Sequence, residues 1–138
     1  MMRAEVRWKE GLDFTGRADS GCAVELASGA AETGSGTSPM ELVLIALAGC
    51  TAMDVISILQ KKRQQVTGFE VRVQAKKTEE HPRVFTTASL EYIVTGDEVR
   101  VDAVARAVEL SKTKYCSVYA MLKQAMPIKF SYRVQAAA

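Results

Sequence analysis

The chain has few of the residues that staple or metallate small proteins. It carries three cysteines and one histidine in 138 residues. An odd number of cysteines at wide spacing does not make a disulfide framework. The lone histidine, His81, sits in the charged run EEHPR and reads as solvated. With no second histidine and no clustered cysteines, no ligand set of recognisable zinc spacing is visible, and no cofactor motif either. The formal charge is only +2, and no basic run is interleaved with aromatics, which argues against nucleic acid as a partner. Residues MMRAEVRWKEG lack the apolar run of a signal peptide. The expected location is therefore cytoplasmic and reducing, where a disulfide is more often transient and catalytic than structural. No Gly-rich phosphate loop and no Ser-His-Asp set is recognisable. Nothing repeats, and the one small polar stretch is too short for a linker, so 1–138 reads as a single domain with enough chain for a sizeable core.

The dominant feature is a long apolar stretch, residues 38–62, SPMELVLIALAGCTAMDVISILQKK. Ser38 suits a helix cap, Pro39 the first helical position, and Glu41 the acidic place of a capping box. At a helical rise the stretch is about 36 Å long, too long for a strand. A membrane span has similar length, but Asp54 would then lie near mid-bilayer at a cost of roughly 2.5–3.5 kcal/mol. The flanking chain looks like an ordinary soluble domain, so the reading is a buried central helix and no membrane. Val43, Leu47, Cys50, Asp54, Ser57 and Lys61 share one side of it. Cys50 marks the point where that side turns from apolar to polar.

The remaining chain alternates between strand and helix patterns. Residues 3–9 place Ala4, Val6 and Trp8 against charged neighbours, the pattern of a half-buried strand. Leu12–Arg17 and Cys22–Leu26 follow after tight turns, which predicts an antiparallel meander. Residues 28–37, SGAAETGSGT, read as a loop. After the helix, Phe69–Lys76 and a strand carrying Ala88, Leu90, Tyr92 and Val94 predict a hairpin across the charged connection 77–83. Helical spacing returns over 98–112, with Asp102 and Arg106 as an i,i+4 pair, and over Tyr115–Ala125, which Pro127 stops. Ile128–Gln135 alternates as a last strand. The order is βββ-α-ββ-αα-β, an α+β class. One small sheet covers only one side of so apolar a helix, so an obligate homodimer is expected.

Three thiols are candidates for chemistry. Cys50 lies mid-helix, where a cysteine is commonly just a small hydrophobe. Gly49 beside it leaves room for close approach to the backbone, and Asp54 one turn on disfavours a thiolate unless a cation intervenes. Cys116, in KTKYCSVYAML, falls near a helix start beside Lys112 and Lys114, all of which favour a thiolate. Cys22 falls on the apolar side of its strand and reads as core. The separation of Cys50 and Cys116 rules out a CxxC motif and leaves open a pair made by the fold.

SPMELVLIALAGCTAMDV followed much later by KYCSV resembles the OsmC/Ohr family. EGLDF in the first hairpin and VARAVELSKTKYCSV agree, and the likeness covers essentially the whole chain. It is closer to a less characterised branch than to the Ohr peroxidases themselves. The resemblance implies an intertwined α+β homodimer with active sites at the subunit interface. It implies that Cys50 is the thiol that attacks a small hydroperoxide and that Cys116 resolves the sulfenic acid. It also implies a dithiol reductant such as a lipoyl group, and a role in oxidative-stress defence. Ohr-type members carry a glutamate ten positions before the first cysteine. Here that position is Met40, with Glu41 next. They also use an arginine of the N-terminal hairpin, whose counterpart in LDFTGR falls near Phe14, with Arg17 the nearest arginine. The supporting set is therefore Glu41, Arg17 and Asp54. Two readings stand. One is a thiol-dependent peroxidase working through Cys50 and Cys116. The other is a dimeric protein that binds a small apolar or electrophilic ligand near Cys50 without turning it over.

Overall fold

The computed structural model describes residues 1–28 and 36–137. The chain forms two compact units, Met1–Val43 and Leu44–Ala138. Most of the loop expected over 28–37 lies outside the described residues.

The first unit is the expected meander. Strands β1 (Ala4–Glu10), β2 (Asp13–Ala18) and β3 (Ala23–Leu26) pair antiparallel in the order β1-β2-β3. Trp8 faces Phe14 and Phe14 faces Leu26 in register. Gly11 and Gly21 hold the connecting turns at positive φ, a region open to glycine without a Cβ penalty. Two expectations fail here. Every residue of β1 is exposed, although its alternation predicts a half-buried strand. Cys22 precedes β3 instead of lying within it, and its side chain is exposed, not core. The cause is the same in both cases. Alternation gives a strand an apolar side but does not supply the layer that covers it.

Helix α1 (Pro39–Lys61) starts with the capping box read from the sequence. The Ser38 amide donates to Glu41 Oε1 at 3.0 Å, and the Glu41 amide donates to Ser38 Oγ at 3.2 Å. Two orphan donors of the first turn are thereby satisfied. The helix buries one narrow stripe, Leu47, Thr51, Val55 and Leu59, at strict i,i+4 spacing. Burial on nearly all sides is not what one chain provides: Ile45 and Met53 remain 56% and 74% exposed.

The stripe packs into the core of the second unit. Strands β4 (Gly68–Lys77) and β5 (Phe85–Thr95) form the predicted hairpin, and β6 (Ile128–Gln135) adds to β5 in parallel. A parallel neighbour needs a crossover. It is supplied by α2 (Val101–Leu110), a π-helical turn (Ser111–Tyr115) and α3 (Ser117–Leu122). Strand β5 is central, and its Leu90, Tyr92 and Val94 meet the α1 stripe and Ala103, Val104, Ala107 and Val108 of α2 in one cluster. The helix expected over 98–112 thus ends early and widens into the π turn. Asp102 pairs with Arg100, not Arg106: Nε and Nη2 of Arg100 donate to its two oxygens at 3.1 and 2.5 Å.

Gly96, just after β5, is required by packing. A Cβ there would overlap the Gln65 carbonyl oxygen and press on Val99 Cγ2 at 2.6 Å. Because the oxygen belongs to backbone, it does not swing aside. Gly96→Ala is expected to cost about 1–3 kcal/mol, the usual range for overpacking, read as a lowered midpoint in urea unfolding.

Candidate active site

The helical period puts Cys50 and Asp54 one turn apart on the same side of α1. Cys116 arrives from elsewhere. The π turn closes with a hydrogen bond from the Cys116 amide to the Ser111 carbonyl at 2.8 Å, an i→i+5 bond. Cys116 itself is extended and caps α3, its Sγ accepting the Tyr119 amide hydrogen at 3.3 Å. The result is that the sulfurs of Cys50 and Cys116 and a carboxylate oxygen of Asp54 all lie within 4.8 Å of one another. Both thiols are free; Cys50 is half-buried and Cys116 buried.

Asp54 is held by a chain of buried hydroxyls. Ser111 Oγ donates to Asp54 Oδ2 at 2.9 Å. Thr51 Oγ1 lies 2.7 Å from Ser111 Oγ and 2.8 Å from the Tyr92 hydroxyl. A carboxylate only accepts, and each hydroxyl has one hydrogen. Ser111 spends its hydrogen on Asp54, so Thr51 must donate to Ser111 and Tyr92 must donate to Thr51. The chain runs one way, from Tyr92 on β5 to Asp54 on α1. Burial pushes the Tyr92 phenol up to about 12, against the hydrogen bond to Thr51 that pulls it down, so Tyr92 keeps the proton it donates. Among the described residues, no buried side-chain polar atom lacks a partner.

The electrostatics of Cys116 differ from those expected. Burial pushes its thiol up to about 11. The Tyr119 amide opposes this, while the hydrogen bond to Cys50 and the charges of Cys50 and Asp54 add to it. The helix start does act on the sulfur, as read from the sequence, but desolvation outweighs it. The two lysines are engaged elsewhere. Lys112 Nζ lies over the Phe130 ring at 4.9 Å and Lys114 Nζ over the Tyr115 ring at 5.3 Å. A cleft of about 540 Å³, lined in part by Asp54, Ser57, Leu110 and Tyr115, opens beside Asp54.

Two of the other sequence candidates, Glu41 and Arg17, lie in the first unit. Glu41 is in the capping box. Arg17 is exposed on β2, and its Nη1 donates to the Gly21 carbonyl at 3.2 Å. His81 is exposed in the connection after β4. Sequence reasoning missed Thr51, Ser111 and Tyr92 as site residues. Thr51 left one signal, a hydroxyl interrupting an apolar run at a position that the helical period buries. Ser111 and Tyr92 left none.

Reactivity should follow these environments. With iodoacetamide, exposed Cys22 should alkylate first and Cys116 last. Labelling of Cys116 should rise only as pH approaches about 11, because the thiolate is the reacting form. Peptide mass spectrometry across a pH series checks the order; early labelling of Cys116 at neutral pH would contradict the burial argument.

The family model described as OsmC-like protein matches residues 32–131. Protein YhfA of Escherichia coli is 48% identical over 136 residues, 99% of this chain and 100% of that protein. The crystal structure of a hypothetical protein from Aquifex aeolicus superposes with a TM-score of 0.88 at 30% identity, covering 100% of this chain and 98% of the other. The organic hydroperoxide resistance protein OhrB of Bacillus subtilis superposes with a TM-score of 0.62 at 15% identity, covering 96% and 98%, a likeness of fold alone. The core motif around Cys50 and the Cys116 region both fall inside the matched span, and the fold is shared from end to end: this chain belongs to the OsmC-like family.

Proposed function

We propose that the protein is a thiol-dependent peroxidase that reduces organic hydroperoxides through Cys50 and Cys116. The observation that carries this reading is the meeting of two free thiols and a carboxylate within 4.8 Å. The name of the Bacillus subtilis fold relative, an organic hydroperoxide resistance protein, supports the same class of substrate.

Cys50 is the attacking thiol, since it is the less buried of the two. Its sulfur displaces an alcohol from the peroxide: the S–O bond forms, the O–O bond breaks, and the thiol becomes a sulfenic acid. The Asp54 carboxylate takes the thiol proton and returns it to the departing alkoxide. Cys116 then condenses with the sulfenic acid, giving a disulfide and one water. The sulfurs must close from their present separation to about 2.05 Å. Oxidation of Cys50 also removes its charge and its thiol hydrogen bond, two of the influences that hold the Cys116 thiol up. A dithiol such as a lipoyl group reduces the disulfide and completes the cycle. No described lysine or arginine is seen to bond either sulfur, so turnover is expected below that of Ohr peroxidases, which hold the thiolate with an arginine.

The same reading has two copies of the chain working as a homodimer. Ile45 and Met53 expose apolar area on α1. A shallow trough beside Ile45 runs over Ala48, Gly49 and Ala52 to Phe69 and Val71. Apart from its chain neighbours and the backbone of its own helical turns, no atom of the described residues lies within 4 Å of where a Gly49 Cβ would sit, so the space read beside this glycine is open. Covering a side chain such as Ile45 or Met53 is worth roughly 1.5–3 kcal/mol. Sedimentation at micromolar concentration should give a dimer, and a well-folded monomer there would remove this part of the reading.

Activity is tested by adding an organic hydroperoxide and a dithiol. Cys50→Ser should abolish turnover, because the attacking atom is gone. Cys116→Ser should undergo a single oxidation and then, under excess peroxide, proceed to the sulfinic acid, seen by mass spectrometry. Cys22→Ser should leave turnover unchanged. Wild-type protein that consumes no hydroperoxide and keeps both thiols free would instead favour a ligand-binding protein on this scaffold.

A further inference from the structure

We infer that the reduced site is also a metal site: Cys50, Asp54 and Cys116 together form a three-ligand site for a thiophilic divalent cation, with Zn²⁺ the best match. Two thiols and a carboxylate are ordinary zinc ligands, and three protein ligands leave a fourth position for water. Cys50 and Asp54 supply an i,i+4 pair from one helix, and Cys116 supplies the third ligand from the other side.

The geometry is close to what zinc requires. With Zn–S about 2.3 Å and Zn–O about 2.0–2.2 Å, tetrahedral ligand atoms stand roughly 3.5–3.8 Å apart. Here all three lie within 4.8 Å of one another, so side-chain shifts of roughly 1.0–1.3 Å at most bring them to the spacing of the site. The outer contacts that orient metal ligands are already in place. Ser111 donates to Asp54 Oδ2, and the Tyr119 amide donates to Cys116 Sγ. Of the three ligands, Asp54 lines the cleft through which an ion would enter. Two thiolates and a carboxylate around Zn²⁺ carry one net negative charge, and Lys61 and Lys62 line the same cleft to offset it. Mixed thiolate and carboxylate donors also disfavour Mg²⁺ and Ca²⁺, which take oxygen ligands.

Binding converts two thiols to thiolates and releases two protons, so only the reduced pair takes the metal. The disulfide has no thiolate to offer. A consequence, which unlike the binding itself rests on the peroxidase reading, is that zinc and hydroperoxide exclude one another at this site, so that zinc shields the thiols until it is removed.

The test needs no peroxide. Reduced, chelator-stripped full chain is equilibrated anaerobically with zinc chloride, desalted, and its zinc counted. The expected result is one zinc per chain, with Cys22→Ser unchanged. Cys50→Ser and Asp54→Asn should each lose at least the 10–100-fold in affinity that even an outer-shell contact is worth. In parallel, Co²⁺ added to wild type should give a thiolate-to-cobalt charge-transfer band, absent after disulfide formation in wild type itself, a readout that does not depend on any variant folding. Substoichiometric zinc on the reduced wild type, no such band, or zinc held equally well by Cys50→Ser would each overturn the inference. Wild type that binds zinc but consumes no hydroperoxide when metal-free would leave the metal site standing and remove the peroxidase.

Discussion

The one-way chain of hydroxyls from Tyr92 through Thr51 and Ser111 to Asp54 ties together every element that builds the site. Thr51 belongs to α1, Tyr92 to the central strand β5, and Ser111 to the junction of α2 and the π turn. All three hydroxyl-bearing residues are almost wholly buried. A buried hydroxyl without a partner costs on the order of 1–3 kcal/mol. Any sliding or rotation of α1 against β5 would strand at least one of them. The polar chain therefore sets the rotation of α1 about its axis in a way that apolar contacts alone do not, because Leu47, Val55 and Leu59 tolerate small shifts.

That rotation decides where the chemistry sits. With Thr51 pointing into the core, Cys50 and Asp54 fall beside it on the flank of α1, half-buried instead of buried or exposed. The π turn does the complementary work. Its wider loop carries Ser111 inward and then delivers Cys116 to the same flank as the cap of α3. A regular α-helix continued through residues 111–115 would rotate the chain differently and move Cys116 away. Inserted π turns are frequent at functional sites.

The site is dry on one side and open on the other, and that gradient separates the two thiols. Cys116 lies at the dry side, where desolvation raises it to about 11 despite the helix start behind its sulfur. Cys50 is only half-buried. Two cysteines of one chain thereby sit in different environments without any difference in residue type, and placing charge on the more deeply buried one costs more. The Asp54 carboxylate serves both readings of the site, as a proton carrier for the peroxide reaction and as an oxygen ligand for a metal.

Much of the architecture was legible from residue order, since it rests on interactions between near neighbours. The Ser38–Glu41 box, the period of α1 and the glycine turns of the meander all involve residues within a few positions of each other, and β4 and β5 are consecutive strands joined by a short connection, whereas the last helix ends at Leu122, before the Ala125 and Pro127 expected to bound it. Local sterics and hydrogen bonding settle them before any tertiary contact forms. The likeness around Cys50 and Cys116 pointed to the right family for the same reason, as motifs are local strings. Other features depended on partners far along the chain. These are the parallel pairing of β6, the exposure of β1 and Cys22, the meeting of Cys50 with Cys116, and the Tyr92–Thr51–Ser111–Asp54 chain. Alternation along β1 encodes an apolar side but not its cover, and a cysteine encodes a thiol but not its solvation. Those are properties of the surroundings, and only the folded chain supplies surroundings.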